Sequence, residues 1–310
     1  MIRPLSAALI LALSSLAGSA YAQTPGAAEK PDVERGRYLY TAGGCASCHA
    51  APATSKCDDP KLADEFKPIG GRCLKTGFGT FNVPNITPDK TSGLGSWTAE
   101  NFIKAMTKGT GPSGTNLYPA FPYASYQRMT RGDLLDLWAF LQSLEPISSN
   151  VPNHDLKFPY NIRAGLFFWK QIYLDGKTFK PDPTKSDQIN RGAYLVQGPG
   201  HCGECHTPRS FLGGMSKSKA LSGAPNPEGK GTIPNITPDE TGIGSWSKKD
   251  IVYALETGFT PDGDSLGSTM SEVQSNTAKL TKEDREAIAA YLKSIPPIRT
   301  EKAKPKTARF

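Results

Sequence analysis

The feature that most constrains this chain is an internal duplication, in which the same short motifs occur twice in the same order along 310 residues. Each copy carries Arg-Gly-x-Tyr-Leu at 35–39 and 191–195, C-x-x-C-H at 45–49 and 202–206, PNITPD at 84–89 and 234–239, and Gly-Ser-Trp at 95–97 and 244–246. A repeat of this kind indicates one structural unit present in two tandem copies.

Each copy is predicted to be helical, because N-cap residues and capping-box pairs mark the starts of its helices. They are Thr98 and Ser247 (with Asp250) for the middle helix, and Thr130 with Asp133 and Thr281 with Asp284 for the last helix. The stretches between the helices are rich in Gly, Pro, Asn and Thr and show no strand alternation. We therefore expect long loops and no sheet.

A first helix precedes the cysteines of each copy, over 33–40 and 188–196. Gly36 and Gly192 lie inside these helices, where a missing side chain lets two helices approach closely. We predict contact with the last helix at Phe140 and Tyr291, respectively.

The C-x-x-C-H sequence is the attachment signal for c-type haem. Two thiols about one helical turn apart bond to one porphyrin, and the imidazole that follows is directed at the iron as the proximal ligand. We therefore predict two covalently bound haem c groups, one held by Cys45, Cys48 and His49 and the other by Cys202, Cys205 and His206.

A zinc site and a redox-active dithiol are the two alternatives for these runs. Structural zinc takes four protein ligands, whereas each run offers three. A thioredoxin-like dithiol requires a βαβ setting, which the sequence lacks. Both alternatives are weaker than haem attachment.

The second axial ligand of each iron is less clear, because the chain has only four histidines. His201 directly precedes Cys202 and His154 lies between the copies, so paired histidines at both irons are not expected. A methionine thioether is the natural ligand, and Met/His ligation raises the haem potential. In the second copy we predict Met270, in an irregular segment ahead of the last helix; the alternative is a core methionine. Met215 is too near the motif to reach the opposite face of the haem.

In the first copy, Phe121 aligns with Met270 and cannot bind iron. Met106 falls within the middle helix and is predicted to belong to the core. We predict Met129, just before the last helix, as the ligand. A core residue equivalent to Leu280 and a five-coordinate first haem are the open alternatives.

The N-terminus is typical of a secretory signal. Arg3 precedes an apolar run over 5–16, and Ala20-Tyr21-Ala22 supplies a cleavage site before Gln23. A retained membrane anchor is the alternative. We expect a periplasmic location, with membrane association only peripheral or through a partner.

In an oxidising compartment, Cys57 and Cys73 are expected to form a disulfide. The alternative makes one of them a thiolate ligand or a redox-active thiol. The formal net charge is +7, and the tail over 299–310 is basic and predicted to be disordered. Such a tail either attracts an acidic partner or anionic lipid or is simply solvated. Nucleic acid is not an expected partner of an exported chain.

These features divide the chain into a signal peptide (1–22), a first domain (23–147), a connector (148–186), a second domain (187–298) and the tail (299–310). The predicted fold is all-α, with two tandem class I cytochrome c domains and long loops. The connector is rich in aromatic residues, so we predict that it is buried between or across the two domains.

Taken together, the motifs resemble those of the multihaem cytochrome c subunits of bacterial periplasmic dehydrogenases, of the alcohol and gluconate dehydrogenase type. The resemblance is carried by both C-x-x-C-H runs, both PNITPD segments, YPAFPY at 118–123, GHCGECHTPR at 200–209, and Met270 ahead of 291–294. Better-known members carry three haems, whereas this chain has motifs for two. Many members also have a ligand methionine where Phe121 stands, so the ligation of the first haem is left open.

The resemblance implies an electron carrier with no substrate chemistry of its own. Its donor would be the catalytic subunit of a periplasmic dehydrogenase, and its acceptor a respiratory oxidase, a quinone or another cytochrome. The alternative is a dihaem oxidoreductase acting on thiosulfate or peroxide, with an open or thiolate-ligated first haem. Only Phe121 and the Cys57/Cys73 pair favour it.

Overall fold

The frame of the fold is a pair of packed helices in each copy. The structure, a computed structural model, describes residues 30–50, 64–226, 231–267 and 269–300. The predicted signal peptide, Cys57 and most of the basic tail lie outside these residues. Below, residues 31–147 are the first half, 148–186 the connector and 187–300 the second half.

The helices are α1 (Val33–Ala42), α2 (Cys45–His49), α3 (Ala99–Lys108), α4 (Tyr123–Tyr126), α5 (Arg131–Ser143), α6 (Gly165–Tyr173), α7 (Asp187–Gln197), α8 (Gly203–His206), α9 (Lys248–Thr257), α10 (Thr269–Thr277) and α11 (Lys282–Ser294), with a short 3₁₀ turn at Lys217–Lys219. Helix α1 packs against α5 in the first half, and α7 packs against α11 in the second. The mainly helical character agrees with the predicted all-α class.

Two glycines bring these helix pairs together. A Cβ atom added to Gly36 would lie 2.0 Å from the carbonyl oxygen of Asp136 and 2.8 Å from the Cβ of Phe140. A Cβ atom added to Gly192 would lie 1.9 Å from the carbonyl oxygen of Ala287 and 2.8 Å from the Cβ of Tyr291. The predicted close approach at Gly36 and Gly192 is therefore confirmed.

Short antiparallel strands are present, contrary to the expectation of no sheet. They are β1 (Cys73–Thr76), β2 (Gly79–Asn82) and β3 (Asp155–Leu156) in one sheet, and β4 (Ala224–Pro225) with β5 (Thr232–Ile233) in another. Strand β1 pairs with β2 in the register Thr76 opposite Gly79, which leaves a two-residue turn. Such a hairpin needs only four residues a strand, which is too short for sequence alternation to reveal.

The predicted helix starts are confirmed. The side chains of Thr98 and Ser247 cap α3 and α9 in complete capping boxes, with Asn101 and Asp250. Thr130 and Thr281 also accept the N–H three residues on, at the starts of α5 and α11. Their predicted boxes are incomplete, because the carboxylates of Asp133 and Asp284 point to other partners.

Those two carboxylates join the two halves reciprocally. The hydroxyl of Tyr38, in the first half, donates to Asp284 at 2.5 Å, and Arg191 donates to the same carboxylate at 2.8 and 2.7 Å. Burial and the bond to Asp284 raise the pKa of Tyr38 to about 12, so this hydroxyl stays protonated.

The matching contact runs in the opposite direction. The hydroxyl of Tyr194, in the second half, donates to Asp133, which also pairs with Arg35. The backbone N–H groups of Thr130 and Thr281 donate to these tyrosine hydroxyls at 3.2 Å each. Because Tyr38 and Tyr194 occupy equivalent positions of the repeat, the halves meet through a duplicated contact.

Each half has its own hydrophobic core. The first cluster includes Leu39, Phe102, Met129 and Leu137, and the second includes Leu195, Ile251, Leu280 and Ile288. The side chains of Tyr38 and Ala42, on α1, pack against the second cluster. Helix α1 therefore contributes to both cores.

The connector is only partly buried, which corrects the prediction of a buried strap. The inner face of α6 carries Lys170, whose ammonium donates to the carbonyl oxygen of Gly109 at 2.6 Å and to Asn116 Oδ1 at 2.7 Å. The outer face carries Phe168 and Ile172, which are exposed. The sequence was misleading because Phe167 and Phe168 of α6 are exposed, while its lysine points inward. Within the described ranges, no helix has the length and hydropathy needed to span a membrane.

Candidate haem-binding sites

The first motif forms the short helix α2, directly after α1. The Nδ1 atom of His49 lies 2.7 Å from the carbonyl oxygen of Pro84, which therefore accepts the Nδ1–H. This hydrogen bond fixes the tautomer and leaves Nε2 with a free lone pair. Burial lowers the pKa of His49 to about 4, so the imidazole is neutral at physiological pH, as an iron ligand must be.

The second motif has the same arrangement. The Nδ1 atom of His206, on α8, lies 2.8 Å from the carbonyl oxygen of Pro234. Burial also lowers the pKa of this histidine. In both motifs burial raises the pKa of the first cysteine, Cys45 or Cys202, to about 12, so that its thiol is uncharged.

The loops that follow the motifs orient the histidines, a role that sequence reasoning missed. The side-chain amides of Asn85 and Asn235 donate to the carbonyl oxygens of Ile147 and Ile298, at 2.8 and 2.7 Å. Their Oδ1 atoms accept the N–H groups two residues on, at 2.9 and 2.8 Å. The exact recurrence of PNITPD was the available signal, because a proline carbonyl held in place in both copies indicates a shared structural task.

Two glycine N–H groups complete the support of the motifs. Gly70 donates to the carbonyl oxygen of His49, and Gly223 donates to that of His206, at 2.7 Å each. These residues were also missed, because Gly-Gly at 70–71 and Ser-Gly at 222–223 do not look alike in sequence. The two motifs thus share four supporting contacts although their flanking sequences differ.

The residues present fit a covalently attached haem. Each motif offers two thiols, the first of them uncharged, and one neutral imidazole within one turn of chain, which are the groups that haem c attachment uses. Tyr40 and Tyr126 are buried in the first core, against which Cys45 also packs. In the described part of the chain, no group of three or more His, Cys, Asp or Glu side chains is placed to hold a metal ion together.

The two attachment motifs contact each other's halves. The Nε2 atom of His201, directly before Cys202, lies 3.2 Å from the carbonyl oxygen of Gly43, two residues before Cys45. The ring of His201 also lies against Tyr126, with 5.5 Å between ring centroids. The segments that lead into the two motifs are therefore adjacent.

The third residue of each motif is bonded across the same interface. Ser47 Oγ accepts from Asn276 of α10 at 2.8 Å, and Glu204 Oε1 accepts from Ser125 of α4 at 2.7 Å. Ser125 and Asn276 lie at the same distance before the N-caps Thr130 and Thr281. The helix that precedes the last helix of each half is thus bonded to the motif of the other half.

The predicted axial methionines have different surroundings. Met129 is 2% exposed within the first core, directly before the N-cap of α5, as Leu280 lies directly before that of α11. Met270 lies in the first turn of α10 and is half-buried. The predicted irregular segment around Met270 is therefore partly helical. Both ligand assignments stay predictions.

Phe121 and Met215 also have defined surroundings. Phe121 packs against the first core, with its ring centroid 5.6 Å from that of Tyr126. The Sδ atom of Met215 lies 3.5 Å from where a Cβ on Gly203 would be, so it packs against the second motif itself. That Met215 does not reach the far side of the haem stays a prediction.

Comparisons with known proteins match this chain to a described family and to named relatives. The profile of the family described as cytochrome c matches residues 33–145. A protein of Cereibacter sphaeroides named diheme cytochrome c-type is 48% identical over 267 residues, which cover 86% of this chain and 87% of that protein.

Longer relatives are also similar. The fructose dehydrogenase cytochrome subunit of Gluconobacter japonicus is 39% identical over 302 residues, which cover 95% of this chain and 60% of that protein. The gluconate 2-dehydrogenase cytochrome c subunit of Pantoea cypripedii is 35% identical over 272 residues, which cover 85% of this chain and 59% of that protein. The chain thus spans about three fifths of the length of these two dehydrogenase subunits.

Proposed function

Because the chain belongs to the c-type cytochromes that include the dihaem protein of Cereibacter sphaeroides, we propose that it carries electrons through two covalently bound haem c groups. One observation carries the proposal: each C-x-x-C-H motif holds a neutral imidazole whose Nδ1–H is bonded to a proline carbonyl, at 2.7 and 2.8 Å. When bound, haem c supplies a one-electron couple, and the protein tunes it through ligand type, hydrogen bonding and burial.

The chain's own residues would bind and orient these groups. Cys45 and Cys48 form the thioether links of the first haem, and His49 is its proximal ligand. Cys202, Cys205 and His206 do the same for the second haem. Met270 is the proposed sixth ligand of the second haem and Met129 that of the first. The adjacency of His201 and Gly43 supports electron exchange between the two haems inside one chain.

The partners are proposed from the names of the relatives. Because similar chains are cytochrome subunits of fructose and gluconate dehydrogenases, the donor would be the catalytic subunit of a dehydrogenase. The acceptor would be a respiratory oxidase, a quinone or another cytochrome. The chain itself would be an electron-transfer subunit and not an enzyme. The alternative of a thiosulfate- or peroxide-active oxidoreductase is not favoured, since the relatives are named as electron-transfer subunits.

The remaining organisation is proposed from the sequence. The chain would be exported by a signal peptide over 1–22 and act in the periplasm. Its two class I cytochrome c domains would span 23–147 and 187–298, joined by the connector over 148–186. Cys73, at the start of β1, would form a disulfide with Cys57.

Haem stoichiometry tests the proposal. Produced in a host that matures c-type cytochromes, the chain should be red and weigh two haems more than its processed polypeptide. Cys45→Ala combined with Cys48→Ala should lose one haem, as should Cys202→Ala combined with Cys205→Ala. Ser47→Ala, which lies between the first two cysteines, is the matched control and should keep both. A colourless product at polypeptide mass would refute the proposal.

A further inference from the structure

We propose that an exposed aromatic face, formed by the connector and the loop over 209–215, binds the surface of an anionic phospholipid membrane. Eight of the eleven large hydrophobic side chains exposed in the described residues lie in this one region. They are Phe158, Tyr160, Ile162, Phe167, Phe168, Ile172, Phe211 and Leu212. A contiguous apolar surface of this kind marks an interaction site, whereas scattered single residues do not.

Specific contacts bring the two segments together. The indole N–H of Trp169 donates to the carbonyl oxygen of Leu212 at 2.9 Å, and the hydroxyls of Tyr173 and Ser210 lie 2.5 Å apart. The ring of Phe78 lies 4.7 Å from that of Tyr160, and 3.4 Å from where a Cβ on Gly213 would be. The apolar side chains therefore belong to one surface.

Helix α6 departs from the usual amphipathic pattern. A helix on a protein surface normally turns its charged residues to solvent and its apolar residues to the core. Here Lys170 is 8% exposed and bonded to three oxygen atoms of the first half, while Phe168 is 69% exposed. The buried lysine fixes the helix so that Phe167, Phe168 and Ile172 stay at the surface.

The positive charge around the face favours anionic lipid as the binding partner. The exposed basic residues within 157–180 and 209–219 are Lys157, Arg163, Lys177, Lys180, Arg209, Lys217 and Lys219, of which Arg209 is paired with Glu204. Asp175 is the single carboxylate in 157–180 and 209–219, and it is paired with Arg128 at 2.7 Å. The other two carboxylates of the connector, Asp155 and Asp182, lie outside the stretch over 158–172 that carries its exposed apolar side chains. Aromatic tips among lysines and arginines are the arrangement that enters the headgroup region of anionic lipid. A second copy of this chain is a poor occupant, because two basic faces would repel each other.

The shape of the face favours lipid over a protein partner. Phe211 is 92% exposed and Phe158 is 79% exposed, so both rings protrude from the surface. Protruding rings insert into the acyl boundary of a bilayer, whereas protein interfaces enclose their anchor residues in shaped pockets. The face would hold the electron carrier against the membrane, and it uses none of the proposed haem ligands.

Vesicle binding by the haem-loaded full chain tests this inference. The protein should sediment with vesicles of phosphatidylcholine and phosphatidylglycerol in equal parts, less with phosphatidylcholine alone, and less again at high salt. Phe167→Ser combined with Phe168→Ser should weaken binding to the mixed vesicles at least about tenfold, because the apolar area that enters the lipid is lost.

The matched control is Tyr253→Ser combined with Phe259→Ser, which removes two exposed aromatic rings outside the face. It should bind as the wild type does. All variants keep the basic tail, so its attraction to lipid is the same in each. Absence of wild-type binding, or equal loss in both double variants, would overturn the inference. Haem content and reducibility, measured on the same samples, would be unaffected by that failure, so the proposed function is tested separately.

Discussion

The contact between α7 and α11 makes a sharp prediction about Gly192. In Gly192→Ala the new Cβ would lie 1.9 Å from the carbonyl oxygen of Ala287 and 2.4 Å from its carbon. Both atoms belong to the backbone, so no side chain can turn away to relieve the clash. The helices must separate, and the packing of Leu195 and Ile288 in the second core is lost with them.

Overpacking of a core costs about 1–3 kcal/mol, and a backbone clash belongs at the upper end. Replacing glycine by alanine also restricts the unfolded chain, which offsets about 0.4–1 kcal/mol. We therefore expect Gly192→Ala to lower the free energy of unfolding by about 2 kcal/mol or more. Urea denaturation of the haem-loaded protein, followed by far-ultraviolet circular dichroism, measures this loss.

Gly132→Ala is the matched control, because it also lies in a helix of an equivalent pair. The nearest atom to its added Cβ is Thr130 Oγ1 at 4.0 Å, so no clash arises. This variant should be more stable than wild type, by about 0.4–1 kcal/mol. A Gly192→Ala protein with the wild-type urea midpoint would refute the reasoning about helix approach.

Three further predictions follow from other contacts. Arg128 donates two hydrogen bonds to Asp175 and lowers the pKa of that carboxyl to about 2, below its ordinary 3.8. The stabilisation is therefore present above about pH 4 and is lost as the pH falls toward 2. Asp175→Asn should lower the urea midpoint at neutral pH and change it much less near pH 2. Tyr194→Phe removes the hydroxyl that donates to Asp133 and should lower the free energy of unfolding by about 1.5–3 kcal/mol. Tyr253→Phe, at an exposed position, should change it by less than about 0.5 kcal/mol in the same denaturation assay. Equal effects would contradict a specific contact between the halves. Met270→Leu should abolish the near-infrared band of methionine-ligated ferric haem at one iron, and Met129→Leu should abolish it at the other. Each substitution should lower the free energy of unfolding by less than about 1.5 kcal/mol. If the spectrum is unchanged by a substitution, that methionine is not an iron ligand.

The local features of this fold were accessible from the sequence. Capping residues such as Thr98 and Ser247, and the glycines that allow helix contact, act through backbone geometry within a few residues or through a single missing side chain. The attachment motifs were recognisable for the same reason, because the chemistry of C-x-x-C-H is contained in five consecutive residues.

The long-range contacts were not accessible. Asp133 and Asp284 looked like members of local capping boxes, but arginine and tyrosine partners more than 60 positions away compete for their carboxylates. The connector was expected to be buried because it is aromatic, yet composition does not say which face of α6 turns inward. The inward face is the one that carries Lys170, because its ammonium donates to three oxygen atoms of the first half.

Tyr38 and Tyr194, which each bond to the other half, bear on whether the two copies can be separated. Tyr38 and Ala42 of the first copy complete the apolar surface of the second, and Tyr194 of the second copy satisfies a carboxylate of the first. Either copy expressed alone would present an unfilled patch and a carboxylate missing one of its donors. We therefore expect the two copies to unfold together and each to be less stable when it is expressed without the other.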